Sequence, residues 1–160
     1  MSRLISSLVL YAVTATITLP AVAQEIALKV HHFWAPTAMP PSTLLVPWCD
    51  KIAKDSNNRM KCQIYPAMQL GGAPPQLIQQ AIDGVADIVW TLPGYTAGRF
   101  PVMEVFELPF MSQSAEATSQ AAWDFYTQYG YKEFAGIKAL AVNVHDNGYV
   151  HTVKIGRAHV

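Results

Sequence analysis

The sequence predicts an α/β fold with a mostly parallel sheet and flanking helices, and three observations carry that prediction. Tyr65 to Trp90 (YPAMQLGGAPPQLIQQAIDGVADIVW) runs from the end of a strand, through a helix, to an apolar run rich in β-branched residues. Glu25 to Phe33 and Arg59 to Tyr65 are two more strand-like runs. The stretch between them carries apolar residues at helical spacing, so the order is β-α-β-α-β. In such crossovers small ligands sit outside the carboxyl ends of the strands, which directs the search for a site to the loops after the first and third strands.

At the amino terminus Arg3 precedes an apolar stretch from Leu4 to Ile17, followed by Pro20 and the small triplet Ala21-Val22-Ala23. This is the pattern of a secretory signal peptide with cleavage after Ala23. The apolar run is shorter than the roughly 20 residues that a spanning helix needs. Removing residues 1–23 from the 160 leaves 137, enough for one domain with a proper core and too few for two of ordinary size. Loss of Arg3 leaves ten Lys and Arg against eleven Asp and Glu. Without a basic block, nucleic acid and anionic membrane surfaces are poor partners. No second long apolar run follows, so the mature chain is expected outside the cytoplasm without membrane insertion. Cys49 and Cys62 are an even pair in an exported chain: they either form a disulfide that ties the first helix to the second strand or remain small buried residues. Their spacing does not suit a CxxC redox or zinc motif.

Each element has a local reason. The first strand ends at Trp34-Ala35-Pro36. A helix follows, with Ser42 or Thr43 as cap, Leu44, Leu45, Trp48, Ile52 and Ala53 on one face, and Asn57-Asn58 as stop. Pro66 and Gly71-Gly72 turn the chain after the second strand, and Pro74-Pro75 open a helix whose first turn has no use for their missing amides. Leu77, Ile78, Ala81 and Ile82 share its face, Gly84 ends it, and Val85 to Trp90 form the third strand. The twenty residues TLPGYTAGRFPVMEVFELPF then form a long loop, rich in Pro and aromatic residues, that reads as an ordered wall. Ser112 or Ser114 caps a helix through about Tyr129, with Ala117, Ala121, Ala122, Phe125 and Tyr126 toward the core. Gly136 to His145 reads as a further strand, followed by the turn Asp146-Asn147-Gly148. The tail, residues 154–160 (KIGRAHV), shows no strand alternation, cap or helix stripe and stands as anomalous.

Together, the signal peptide, YPAMQLGG, the helix beginning near Pro75, DGVADIVW, the PGYTAGRFP loop and ELPFM resemble the first half of a solute-binding protein of a TRAP (tripartite ATP-independent periplasmic) transporter. The resemblance covers Glu25 to Val153. It implies a periplasmic clamshell of two α/β lobes that closes on an organic acid and delivers it to the membrane subunits of an ion-driven permease. On that reading residues 24–146 are the amino-terminal lobe of a periplasmic-binding-protein-like fold, 147–153 begin the crossover, and the second lobe is largely absent. The family's carboxylate-binding arginine lies in that second lobe and has no counterpart here; Arg157, in the tail, is not given the role. No cofactor or metal is implied for this lobe.

A closed cleft needs donors for a carboxylate and flat walls for an apolar body. Trp34, Trp90, Tyr95 and Phe110 fall at or beyond strand carboxyl ends and are candidate walls. Trp90, inside its apolar run, reads first as core, whereas Trp34 and Tyr95 sit in loops. Arg99 either meets a ligand anion or, the favoured reading, braces the loop against Glu104 or Glu107. Gln76, at a helix start, either faces a ligand anion or is solvated. His145 and Asn147, near the expected lobe junction, complete the candidate set. His31 and His32 are neighbours on a strand and point to opposite faces, which does not suit joint ligation of a metal. The abundance of Trp, Tyr and Phe tilts the ligand toward a small monocarboxylate with an aromatic or apolar body. An exported hydrolase is the rival class, but neither a GxSxG elbow nor an HExxH motif is present. A fragment that binds nothing is the third reading.

Overall fold

β1 (Ile26–His32) is the central strand of a parallel three-stranded sheet, with β2 (Met60–Tyr65) on one side and β3 (Ile88–Trp90) on the other. The computed structural model describes residues 25–112 and 114–145. The expectations for the signal peptide, the crossover at 147–153, Asn147 and the tail therefore lie outside the described residues. β1 pairs with β2 from Ile26↔Met60 to His31↔Tyr65, and with β3 from Val30↔Ile88 to His32↔Trp90. The chain goes from β1 to one edge of the sheet and returns across β1 to the other edge. Right-handed crossovers in opposite directions place their helices on opposite faces.

Side-chain alternation on β1 confirms the two faces. Val30 packs with Leu45 and Cys49, on the side of α1 (Val46–Asp55), whereas the ring of the next residue, His31, bonds to Gln80 on α2 (Leu77–Ile82). A disulfide joins Cys49 of α1 to Cys62 of β2, with Cα atoms 5.6 Å apart, so the pair left open by the sequence is bridged. On the other face Ile78, Phe100 and Met103 form a second core, covered in part by Phe125 and Tyr126 of α3 (Ala115–Gln128) and by Phe106, Phe134, Ile137 and Val142.

Local signals set most element ends. Asn57 and Asn58 close α1 in left-handed conformations, at φ 52° and 60°, and Gly84 ends α2 at φ 72°. The Ser114 hydroxyl caps α3 by accepting from the Ala117 N–H at 3.3 Å. The loop after β3 is ordered, as expected, by 3₁₀ turns at Pro93–Thr96 and Met103–Glu107. The Glu133 carboxylate accepts from the Val102 and Met103 amides at 2.7 and 3.2 Å, satisfying the start of the second turn.

Four expectations are corrected. Residues 136–145 form no strand. Ile137 and Val142, five residues apart, would face opposite ways on a straight strand, yet both pack on the second core. The Ser119 hydroxyl accepts from the Val144 N–H at 2.8 Å and donates to its carbonyl at 3.2 Å, in place of a ladder. β3 begins at Ile88 and not Val85, because the Asp87 carboxylate takes the Lys29 N–H at 2.7 Å while the Asp87 N–H reaches the Lys29 carbonyl. Leu44 is 54% exposed, because the buried stripe of this segment runs through Pro41, Leu45 and Cys49 and leaves Leu44 to one side. On α3, Ala117 and Ala121 are exposed and Thr118 is buried, its hydroxyl paired with that of Ser112 at 3.2 Å.

The Cys49–Cys62 bridge closes a short loop between a helix and an edge strand. Removing it by a Cys49→Ala/Cys62→Ala double substitution is expected to cost about 3 kcal/mol in urea unfolding, with the far-ultraviolet spectrum of the folded state retained.

Candidate functional site

The order of the sheet reverses at β1, which places a crevice outside the carboxyl ends of β1 and β3. Four rings line that edge. Phe33 and Trp34 follow β1, Trp90 ends β3, and Tyr95 lies on the Pro93–Thr96 turn. Ring centroids are 5.3 Å apart for Tyr95–Phe33, 4.6 Å for Phe33–Trp34 and 6.2 Å for Trp34–Trp90, all within the range of favourable aromatic pairs. Three of the sequence candidates, Trp34, Trp90 and Tyr95, thus come together, and Trp90 also packs against the Val30–Leu45–Cys49 core, as first read. Phe33, which joins them, was read as the end of a strand; the strand stops at His32, which frees Phe33 to turn into the wall.

The edge is held from below. The Met68 N–H bonds to the His32 carbonyl at 3.1 Å and the Ala67 N–H to the Trp34 carbonyl at 2.8 Å, with Ala67 and Met68 both at positive φ. His31 is fully buried. Its Nε2 accepts from the Leu70 N–H at 3.3 Å, which makes Nδ1 the donor to Gln80 Oε1 at 2.7 Å. Gln80 in turn donates to the Gly71 carbonyl at 2.9 Å. At Gly72, φ is +81° and an added Cβ would press on the Gln76 and Gln80 side chains, so the QLGG turn needs glycine there.

Polar atoms at this edge are conspicuously unpaired. Trp34 Nε1, Thr91 Oγ1 and Arg99 Nε are buried without a hydrogen-bond partner among the described residues, and the His32 ring makes no well-formed hydrogen bond although the Trp34 backbone lies close to it. His32, Trp34 and Thr91 lie at or directly after the carboxyl ends of β1 and β3, Arg99 lies further along the loop after β3, and each such group calls for an explanation. The expected brace from Arg99 to Glu104 or Glu107 does not form. Glu104 Oε1 accepts from the Gly98 N–H at 2.9 Å, Glu107 Oε1 accepts from the Gly94 N–H at 2.7 Å, and Arg99 lies over the Phe100 ring, 5.7 Å from its centroid. Glycine amides let the carboxylates approach closely. A Cβ on Gly94 would collide with the Glu107 carboxylate. Among the described residues Arg99 therefore has no carboxylate partner.

The remaining candidates stand apart. Gln76 Oε1 accepts from the Ala73 N–H at 2.7 Å and so closes its own helix start. Phe110 joins none of the ring pairs and is 97% exposed at φ +67°, a backbone conformation that costs a non-glycine residue ~1–2 kcal/mol. His145 is exposed at the end of the described stretch.

A family model for bacterial extracellular solute-binding proteins, family 7, matches residues 30–157. The chain belongs to that family. Its structural neighbours are solute-binding proteins of TRAP transporters. One, from Rhodoferax ferrireducens with copurified benzoate, is 51% identical with a TM-score of 0.71, over 74% of this chain and 37% of that one. Another, from a marine metagenome, is specific for aromatic acid ligands and was crystallised with 3-hydroxybenzoate. It is 50% identical with a TM-score of 0.72, over 75% of this chain and 38% of that one. The outer membrane transporter protein TsaT of Comamonas testosteroni is 27% identical over 89% of this chain and 42% of its own length. The chain thus spans less than half the length of these relatives. The family and fold are those of solute-binding proteins, which are periplasmic and not enzymes, and no helix among the described residues is long and apolar enough to cross a membrane.

His32 gives the edge a pH dependence. Burial, and then the neighbouring His31, hold its pKa below the usual histidine value, with a smaller opposing contribution from the Trp34 backbone. The unfolded chain then takes up a proton near pH 6.5 that the folded chain refuses. Stability contributed by neutral His32 is therefore present above that pH and is lost as pH falls below it. Chemical denaturation from pH 7.5 to 5 is expected to show this loss, at most about 1.4 kcal/mol per pH unit, and His32→Phe to flatten it.

Proposed function

We propose that this chain is the amino-terminal lobe of a periplasmic solute-binding protein that captures an aromatic monocarboxylate and delivers it to an ion-driven TRAP permease. The observation that carries the reading is the run of four rings, Tyr95–Phe33–Trp34–Trp90, at the reversal point of the sheet. A flat ring system packs on such a wall over its whole face, whereas a dicarboxylate would bring a second charged group against apolar rings. Two relatives that are half identical in sequence hold benzoate or 3-hydroxybenzoate. Trp34, Trp90 and Tyr95 contact the ligand body in this reading. Arg99, without an internal carboxylate partner, adds positive charge for an anion, and the carboxylate itself is clamped from the second lobe. Gln76 stiffens the floor of the site, and His145 comes just before the stretch read as the start of the crossover. Residues 1–23 direct export, 24–146 form the lobe, 147–153 begin the crossover, and 154–160 are the anomalous tail. No catalytic role is assigned.

Thermal shift and calorimetry on the protein carrying both lobes test the reading. Benzoate and 3-hydroxybenzoate are expected to raise the melting temperature, by an amount equivalent to about 2.7 kcal/mol at one hundred times Kd, while succinate and glucose leave it unchanged. Trp34→Ala is expected to weaken the response and Arg99→Gln to weaken it for the anions alone. Equal shifts with succinate, or none with either aromatic acid, contradict the proposal.

A further inference from the structure

The four-ring wall has one polar end. Tyr95 stands at the end of the row, 37% exposed, and its hydroxyl makes no hydrogen bond among the described residues. The ring is nonetheless held. It meets Phe33 edge to face, with centroids 5.3 Å apart and planes at 77°, and the Tyr95 N–H bonds to the Leu92 carbonyl at 3.1 Å, so the hydroxyl is carried to a defined place. Thr91 directly follows Trp90, the strand partner of His32, and so comes level with Phe33, the same ring that Tyr95 meets. Its Oγ1 is buried without a partner among the described residues, which costs free energy until something supplies the bond. Two unspent hydroxyl groups therefore flank one apolar ring.

Charge at this end decides what can fill it. The Glu107 carboxylate takes the Gly94 N–H at 2.7 Å, one residue before Tyr95, so the amides of the turn are occupied and a negative charge stands behind it. Arg99 does not offset that charge, because it lies over Phe100 and pairs with neither Glu104 nor Glu107. A ligand carboxylate is repelled here. A neutral hydroxyl is not, and it donates and accepts at once, so it can bond both Tyr95 and Thr91.

We propose that Tyr95 and Thr91 set the specificity of the site by binding a hydroxyl group on the ring of the aromatic acid, so that its ligands are hydroxyaromatic acids in preference to unsubstituted ones. The inference rests on the aromatic-acid reading above and adds the substituent that the wall selects. Tyr95 supplies the hydrogen bond on the open face of the wall, and Thr91 supplies the one beside Phe33. A ring that lacks the hydroxyl covers Tyr95, strips its hydroxyl of water and returns no hydrogen bond, so the site discriminates against it.

Calorimetry with 3-hydroxybenzoate and benzoate on the protein carrying both lobes supplies the test. The parent is expected to bind 3-hydroxybenzoate at least about tenfold more tightly than benzoate. Tyr95→Phe, which keeps the ring that packs on Phe33, is expected to remove about tenfold of that preference, and Thr91→Val, close in shape, about threefold. The ratio of the two affinities is the readout, because damage to packing or folding lowers both together. A parent that binds the two acids equally overturns the proposal. So does a ratio unchanged in either variant, whether both affinities fall by the same factor or neither moves. In those cases benzoate still binds the parent, and the aromatic-acid reading stands without the hydroxyl assignment. Binding of neither acid by the parent refutes that reading and the assignment with it.

Discussion

β1 is hydrogen-bonded on both sides, and that constraint fixes almost everything else in the lobe. A strand paired in parallel with two neighbours cannot slip by one residue without exchanging its two buried faces, and here those faces do different work. Val30 holds one core with Leu45 and Cys49, while His31 reaches across to Gln80. The residues that follow, His32, Phe33 and Trp34, are therefore delivered to one defined place at the edge of the sheet. The same pairing brings His32 opposite Trp90, so the ends of two strands far apart in sequence become one surface.

Beneath that surface the chain invests in backbone positions. The loop after β2 is bent through left-handed Ala67 and Met68 and tied to the carbonyls of His32 and Trp34, and glycine is required at position 72 by the two glutamines above it. On the other side Glu104 and Glu107 hold glycine amides in the loop after β3. Carboxylates that face inward to their own backbone make a rigid rim, and a rigid rim loses less entropy when a ligand binds. Trp34 and Thr91, whose buried polar atoms have no hydrogen-bond partner among the described residues, directly follow the carboxyl ends of β1 and β3.

Much of this was legible in the residues because the decisive signals were local. Asn57-Asn58, Gly84 and Ser114 each force or favour a conformation that ends or starts a helix, whatever surrounds them. Trp34, Trp90 and Tyr95 could be placed together at one edge of the sheet because they fall at or after the carboxyl ends of β1 and β3. What failed depended on distant partners. Thr118 replaces Ala117 and Ala121 in the core because Ser112 satisfies its hydroxyl, and Leu44 turns outward because the buried stripe runs through Pro41, Leu45 and Cys49. Residues 136–145 have the composition of a strand, but no strand among the described residues pairs with them, and Ser119 takes the place of one at Val144. Arg99 was expected to brace carboxylates that prefer glycine amides, a choice that only the closeness of Gly94 and Gly98 reveals.

The central claim is that the four rings at the ends of β1 and β3 form one wall of a carboxylate-binding cleft. Its most direct test is a crystal structure of the protein with both lobes and whatever ligand it carries from the cell. The account predicts an aromatic acid whose ring lies in van der Waals contact with Trp34 and Tyr95 and whose carboxylate points away from them. A ligand bound elsewhere, or one with no flat apolar face against those rings, would contradict it.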